Sequence, residues 1–168
     1  MAKQILTQDH LKELLYYNKQ FGIFVRKKSM YRYKKGDIAG WLNNSGYIQI
    51  GIAGSQPLAH RLAFLYMTGS MPNDEVDHIN GVRTDNRWPN LREATKHQNQ
   101  KNSKINTLNT SGVMGVYLNK RSKKWNVQIS VNGQYIYLGS FLDWFEAVCA
   151  RKSAELKHNF HPNHGRRA

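Results

Sequence analysis

The sequence has very little cysteine, few acidic side chains and no long apolar run. A single cysteine, Cys149, permits no internal disulfide and no cysteine-rich zinc site. It lies in an apolar helical stretch, which predicts a small core residue. No long apolar stretch or basic amphipathic segment supports a membrane anchor. The first residues, Met1 to Gln4, lack the apolar core of a secretory signal, so we expect an intracellular protein.

Basic residues outnumber acidic ones along the whole chain. The 168 residues include 25 Lys and Arg against 11 Asp and Glu, which gives a formal net charge of +14. Residues 1–104 carry 16 basic and 8 acidic side chains, and residues 105–168 carry 9 and 3. A field of this sign attracts polyanions. Nucleic acid is the first candidate partner, because neutralising its phosphates releases counterions and drives binding.

Apolar periodicity predicts two helices in the first seventy residues. Residues 7–18 place three leucines at helical spacing, and Thr7 can cap the start. Residues 58–68 repeat the pattern, and Gly69 stands where a helix would end.

The next thirty residues show little apolar periodicity and are rich in polar side chains. Residues 75–80 favour a strand, and Asn80-Gly81 is a strong hairpin turn signal. The polar segment 90–102 favours a helix.

The last third of the chain predicts a small sheet covered by one helix. Residues 103–112 are rich in Ser, Thr and Asn, so we place a domain boundary there. Three strand-like runs separated by turn signals follow, at 113–119, 124–131 and 134–141. Asp143 opens a final helix, with Glu146 three residues later as its capping-box partner.

Four polar residues between 77 and 99 suggest hydrolytic chemistry. Phosphodiester hydrolysis needs a hard divalent ion at the scissile phosphate and a base for the attacking water. Asp77 and Asn99 offer the oxygen ligands that Mg²⁺ prefers. His78 is a suitable base near neutral pH, and Asn90 is a candidate to orient its imidazole. The alternative is that Asp77 and His78 only make a turn hydrogen bond.

Residues 58–102 resemble the HNH nucleases, specifically the phage-type homing endonucleases. The matching pieces are Ala59-His60-Arg61-Leu62, Val76-Asp77-His78-Ile79-Asn80-Gly81, Asp85-Asn86, Asn90-Leu91 and Gln98-Asn99. The resemblance implies a ββα-metal unit with one divalent ion, Mg²⁺ with Mn²⁺ as a substitute. It implies metal ligands at Asp77 and Asn99, a base at His78 and the middle motif residue at Asn90. It also implies a phage protein expressed in a bacterial cytoplasm.

Several neighbouring residues leave two interpretations open. The third motif position, His in much of the superfamily, is Asn99 here, and His97 is a minor alternative ligand. His60 is either a core histidine on a helix, which we favour, or a phosphate contact. Arg83 and Arg87 either grip the DNA backbone, which we favour, or are simply solvated.

The predicted sheet has a polar face that suits DNA recognition. Apolar and polar residues alternate along 125–131, so one face should meet the helix and the other should point outward. Glutamine and asparagine can read adenine edges in the major groove, which a sheet can enter. The alternative is an ordinary half-exposed sheet. The residues that we expect to bind DNA here are Tyr117, Asn119, Lys120, Arg121, Lys123, Lys124, Gln128, Ser130, Tyr135 and Tyr137.

This last segment also resembles the plant ethylene-response-factor, or Apetala-two, DNA-binding domain. The pieces that carry the resemblance are Ser111-Gly112, Gly115-Val116-Tyr117, Lys124-Trp125, Gln128-Ile129, Tyr137-Leu138-Gly139-Ser140-Phe141 and Glu146-Ala147. The plant domains read DNA with arginines and tryptophans, whereas the outward positions here carry tyrosine, glutamine and serine. The resemblance therefore implies the fold and the DNA-binding role but no target sequence.

We therefore expect an α+β protein with three parts: a leader region at 1–57, a ββα-metal HNH nuclease unit at 58–104, and a DNA-binding domain with a basic tail at 105–168. The expected activity is site-preferring, metal-dependent cleavage of double-stranded DNA by a monomer, homing-type and nicking. The rivals are a non-catalytic, sequence-specific DNA-binding protein and an RNA nuclease. The sheet favours DNA, because the RNA major groove is too narrow for it.

Overall fold

The computed structural model describes residues 6–167, which fall into two compact units that divide between Lys96 and His97. Buried apolar residues of the first unit form one cluster, to which both the leader and the following segment contribute. Leu11, Phe24 and Ile50 of the leader share this core with Leu62 and Leu91. The leader and the segment that follows it are therefore stabilised by the same burial of apolar surface. The division at 57 and 104 stays a prediction.

The first unit is built from short elements. In chain order they are α1 Gln8–Leu14, β1 Leu15–Asn18, β2 Ile23–Arg26, β3 Ile38–Ala39, β4 Trp41–Leu42, β5 Ile48–Gln49, α2 Ala59–Thr68, β6 Glu75–His78 and β7 Leu91–Ala94. Strands β1, β2 and β3 form an antiparallel sheet in that order, while β4 pairs with β5 and β6 pairs with β7.

The predicted first helix begins where expected and ends early. The Thr7 side chain accepts a hydrogen bond from the His10 amide, which confirms the cap. The helix stops at Leu14, so the prediction of helix to residue 18 is wrong for its last turn. Residues Leu15–Asn18 pair as a strand with β2 instead, and the ring of Tyr17 stacks on Phe24 at 4.7 Å between centroids. Cross-strand aromatic packing here overrides helix propensity.

Helix α2 follows the prediction at both ends. It covers Ala59–Thr68, and Gly69 adopts the left-handed conformation at φ 87° that closes many helices. Its buried face includes Leu62 and Ala63, both at 0% exposure, so it is the central element of the first core.

The segment predicted as a helix over 90–102 is mostly not helical. A short 3-10 turn at Trp88–Asn90 leads into β7, and only Lys96–Gln100 forms a helix, α3. His78 lies opposite Leu91 and Asp77 lies opposite Arg92 in the β6–β7 ladder. Residues 91–94 form a strand rather than a helix because β6 supplies their hydrogen-bond partners, which the local sequence does not reveal. The elements thus follow in the order β, β, α.

The second unit matches its prediction closely. Strands β8 Val116–Asn119, β9 Lys124–Val131 and β10 Gln134–Phe141 form an antiparallel sheet in the order β10-β9-β8. Helix α4, Trp144–Lys157, packs on this sheet, with Ala147 buried against Val116 and Val127. The Asp143 side chain accepts from the Glu146 amide, as the capping pattern predicts.

Two further observations concern exposure and membranes. Cys149 is exposed on α4, so the prediction of a core cysteine is wrong. Its neighbour Ala147 points to the sheet instead, and the two side chains are separated by about 200° around the helix. Within residues 6–167, no helix has the length and apolar character needed to cross a membrane.

Candidate active site

His78 ends strand β6 and is almost fully buried, at 4% exposure. Its Nε2 lies 3.1 Å from Oδ1 of Asn86. Asn86 Nδ2 donates to the Thr84 carbonyl, which fixes the amide orientation. An amide oxygen only accepts, so the proton of a neutral imidazole sits on Nε2 and the lone pair on Nδ1. Such a ring has the form that a general base requires.

Burial sets the protonation of His78. It lowers the pKa of the imidazole, and this outweighs the Asn86 hydrogen bond and the nearby Asp77 and Asp85 charges, which raise it. Arg83 lowers the pKa further. The histidine is therefore neutral near pH 7.

Asp77 precedes His78 on the same strand and is 6% exposed. Arg92, its cross-strand partner, donates from Nη2 and Nε to the same carboxylate oxygen, Oδ2, at 2.7 and 3.1 Å. Ionic hydrogen bonds of this kind fix the orientation of a carboxylate. The ion pair compensates a charge that would otherwise be costly to bury.

Asn90 fastens the loop between β6 and β7. Its Oδ1 accepts from the Asn80 amide at 3.0 Å, and its Nδ2 donates to the Asp85 carbonyl at 2.7 Å. The contact to Nε2 of the His78 ring comes from Asn86, and orientation of the imidazole by Asn90 stays a prediction. A catalytic contribution of Asn90 stays a prediction.

Asp85 is the charged centre of the same loop. Arg87 donates to its two carboxylate oxygens at 2.7 and 2.6 Å, and Asn80 donates to it at 2.7 Å. These partners, Arg87 first, lower the pKa of Asp85 to about 2. Arg87 is thus already paired, although its side chain is 54% exposed. The phosphate contact predicted for Arg87 stays a prediction.

An aromatic cluster surrounds the buried histidine. His60 of α2 is 4% exposed and meets the His78 ring edge-on, with centroids 5.0 Å apart. Tyr47 lies 5.2 Å from His60 and 6.0 Å from His78. Burial lowers the pKa of His60 to about 3, so this ring is neutral. These features fit a core histidine rather than a phosphate contact.

Arg83 approaches this cluster from the loop. Its guanidinium lies 4.9 Å from the Tyr47 ring centroid and donates to the Ser45 carbonyl at 2.9 Å. The side chain is exposed, so it can still meet a phosphate beside the His78 cluster. A phosphate contact by Arg83 stays a prediction.

Sequence reasoning gave no role to Asn86, Tyr47 or Arg92. Asn86 lay inside the recognised motif, and its adjacency to Asp85 was the only signal that pointed to it. Tyr47 comes from the leader, and Arg92 was assigned to a helix. Only the tertiary fold and the β6–β7 register bring these two to the site.

Asn99, the predicted second metal ligand, is half-buried on α3 and belongs to the second unit. Its pairing with Asp77 stays a prediction, and so does the minor alternative at His97. Among residues 6–167, no group of three or more His, Cys, Asp or Glu side chains forms a metal cage. Mg²⁺ needs no such cage, because it keeps several waters and takes one or two carboxylates with substrate phosphates. The Asp77 carboxylate is one oxygen donor of the kind that this ion takes, and it is shared with Arg92.

The sheet of the second unit presents the expected face. Tyr117 lies opposite Asn126, Tyr137 opposite Gln128, and Tyr135 opposite Ser130, so all six share one side. The three tyrosines are 46%, 63% and 76% exposed in the order named. The structure thus brings the predicted aromatic and polar residues together on an open surface.

The β8–β9 turn next to this face carries the predicted basic residues. Lys120, Arg121, Lys123 and Lys124 are all exposed. Asn119 is half-buried, and its Oδ1 accepts from the backbone amides of Arg121 and Ser122. The Asn119 oxygen therefore holds the turn, and a role for this residue in reading bases stays a prediction.

Comparison with protein families bears on the first site. Residues 58–101, about a quarter of the chain, match the family model described as HNH endonuclease. The match spans α2, the β6–β7 hairpin and α3, and includes Asp77, His78, Asn90 and Asn99. This supports an HNH nuclease domain in that segment. Comparisons with curated proteins and with solved structures gave no match.

Proposed function

We propose that the protein is a site-preferring, metal-dependent DNA endonuclease. The observation that carries the proposal is His78, buried beside Asp77 and held through Nε2 by Asn86, within the segment that matches HNH endonucleases. A neutral histidine next to a carboxylate supplies the base and one oxygen ligand that phosphodiester hydrolysis needs.

The residues take separate roles in this proposal. His78 accepts the proton of the attacking water at Nδ1, while Asn86 holds the ring in the required tautomer. Asp77 and Asn99 would hold the divalent ion, and Arg92 orients the Asp77 carboxylate. When bound, Mg²⁺ or Mn²⁺ neutralises charge on the scissile phosphate and the leaving oxygen.

The same proposal assigns target selection to the second unit. The exposed rings of Tyr135 and Tyr137 share a face with the half-buried Gln128, and this surface can enter the major groove, flanked by the basic β8–β9 turn. We propose that this sheet binds DNA as the sheet of an Apetala-two domain does. One nuclease unit cuts one strand at a time, so a monomer should nick. A homing function in a phage belongs to the same proposal.

One observation favours a second candidate, a DNA-binding protein with an idle nuclease site. Asp77 is ion-paired with Arg92, and an ion at this carboxylate must share it. If the pair is too strong to accommodate a metal, the protein binds DNA and does not cut it.

Incubation of supercoiled plasmid with the full-length protein separates the two candidates. If the protein is an endonuclease, relaxed circles should form in Mg²⁺ or Mn²⁺ and none should form in EDTA. If the nuclease site is idle, the plasmid should be bound, with slower migration in a gel, but should stay uncut under every metal condition. Linear product at once would point to paired active sites. If generic plasmid survives, a plasmid library of phage DNA presents candidate target sites, and survival of that library refutes the endonuclease.

A further inference from the structure

A loop of the first unit, outside the segment that matches HNH endonucleases, carries a dense run of basic side chains. Residues 26–35, here called the basic hairpin, run from the end of β2 towards β3 and contain no acidic side chain. Six of these ten residues are cationic: Arg26, Lys27, Lys28, Arg32, Lys34 and Lys35. Across residues 6–167, none of the six is ion-paired with a carboxylate. The Asp37 carboxylate just beyond the hairpin accepts from the Lys34 backbone amide, so the hairpin keeps a concentrated positive charge that no carboxylate of residues 6–167 pairs with through a lysine or arginine side chain.

Hydrogen bonds give the basic hairpin a defined shape. Met30 and Tyr33 exchange two backbone hydrogen bonds at 2.9 and 3.0 Å, which closes a hairpin turn with a two-residue loop. The Gly36 amide donates to the Arg26 carbonyl, and the Lys35 amide donates to the Ser29 hydroxyl. A preformed loop loses less conformational entropy on binding than a flexible one.

Aromatic stacking stiffens the same loop. The guanidinium of Arg26, which is buried, lies 4.2 Å from the Tyr33 ring centroid, and that of Arg32 lies 5.4 Å from it. Arg26 also donates to the Gly51 carbonyl. Arg26 therefore anchors the hairpin, whereas Lys28, Lys34 and Lys35 are exposed.

Tyr31 is the unusual residue at the tip of the turn. Its side chain is 105% exposed, so the fold gains nothing from its ring. Its φ is +55°, a left-handed conformation that costs a side-chain residue free energy and that glycine adopts easily. An aromatic ring held in solvent by a strained backbone, between free lysines, is typical of a residue that contacts a ligand.

We propose that the basic hairpin is a second DNA-contacting surface, in addition to the sheet of the second unit. Its lysines bind phosphates of duplex DNA, and Tyr31 packs against bases in the groove as an apolar wedge. The inference rests on the proposed function in one respect, since it takes duplex DNA as the substrate.

Fluorescence anisotropy with a labelled duplex oligonucleotide tests the proposal without requiring cleavage. The full chain carries His78→Ala, and EDTA is present, so cutting does not interfere. Replacing Lys28, Lys34 and Lys35 with Gln should lower the slope of log affinity against log salt by about 2.7, at about 0.9 per lost phosphate contact. The matched control replaces three exposed lysines elsewhere, Lys19, Lys104 and Lys157, and should change the slope by less than one.

Tyr31→Gly isolates the ring. The change relieves the left-handed backbone, so the hairpin should fold as well as before or better, while DNA affinity should fall at least about fivefold. Tyr31→Phe should restore the affinity. Phe21→Ala removes another exposed aromatic ring of the first unit, 71% exposed, and should leave the affinity unchanged.

The outcomes separate this inference from the proposed function. Equal affinities and slopes for the hairpin and control variants would overturn the second surface, whether or not the wild-type protein cuts plasmid. Tighter binding to duplex RNA or to anionic vesicles, lost in the hairpin variants, would also overturn it in favour of another partner. A hairpin effect on DNA affinity in a protein that never cuts would support the surface and refute only the nuclease.

Discussion

Burial of His60 makes the first unit sensitive to acid. The ring is 4% exposed, its pKa is lowered to about 3, chiefly by burial, and its buried Nδ1 has no hydrogen-bond partner among the described residues. Because the folded pKa lies below the unfolded one, the unfolded chain takes up the proton first as pH falls. The stabilisation is therefore complete above about pH 6.5 and is lost progressively as the pH drops towards 3.

The size of the loss follows from the two pKa values. With an unfolded value near 6.5 and a folded value near 3, the free energy of unfolding should fall by roughly 3 kcal/mol between pH 7.5 and 4.5. His60→Phe removes the titrating group and keeps an aromatic ring between Tyr47 and His78. The variant should therefore lose roughly 3 kcal/mol less than the wild type over this interval.

Urea denaturation at the two pH values measures the effect. Peptide-resolved hydrogen exchange over α2 assigns the transition to the first unit. His158→Phe, at a half-buried histidine of the second unit, serves as the control and should behave like the wild type. If His60→Phe loses as much stability on acidification as the wild type does, the burial argument fails.

Three further predictions concern other contacts. Gly115→Ala places a Cβ 2.1 Å from a backbone oxygen, so a thermal melt should show a larger loss than for Gly133→Ala, where nothing lies within 4 Å. Glu155→Leu strips the buried Arg151 of its partner and should cost about 3–5 kcal/mol in urea, whereas a far smaller loss would contradict the burial of this pair. Asn86→Ala should lower kcat about 10–100-fold in plasmid nicking with DNA affinity unchanged, and unaltered kcat would remove its positioning role.

The second unit could be predicted from local sequence because its signals are local. Alternation along β9, the Asn132-Gly133 turn and the Asp143 cap lie within a few residues of the elements that they define. Hairpin pairing and a capped amphipathic helix need no information from distant parts of the chain.

The errors in the first unit have a common cause. Residues 15–18 and 91–94 were predicted as helix, and both form strands because a partner strand supplies backbone hydrogen bonds. Their local patterns are too short to distinguish the two structures. The partner of β7 lies more than ten residues away across a polar loop, whereas the turn signal at Asn80-Gly81 predicts a tight hairpin that does not join β6 to β7.

The candidate site, too, could be predicted from the sequence only in part. Asp77 and His78 are adjacent, so the sequence alone could identify the pair. The contacts that hold them, from Asn86, Arg92 and Tyr47, depend on the loop fold, the β6–β7 register and the packing of the leader. These contacts are tertiary and follow from no short motif.

The most direct test of the central claim compares His78→Ala with His158→Ala on supercoiled plasmid in Mg²⁺, with DNA affinity measured on the same preparations. The proposed mechanism predicts that His78→Ala binds DNA like the wild type and leaves the plasmid supercoiled, while His158→Ala still produces relaxed circles. Relaxed circles formed by His78→Ala at the wild-type rate would contradict the assignment of His78 as the base.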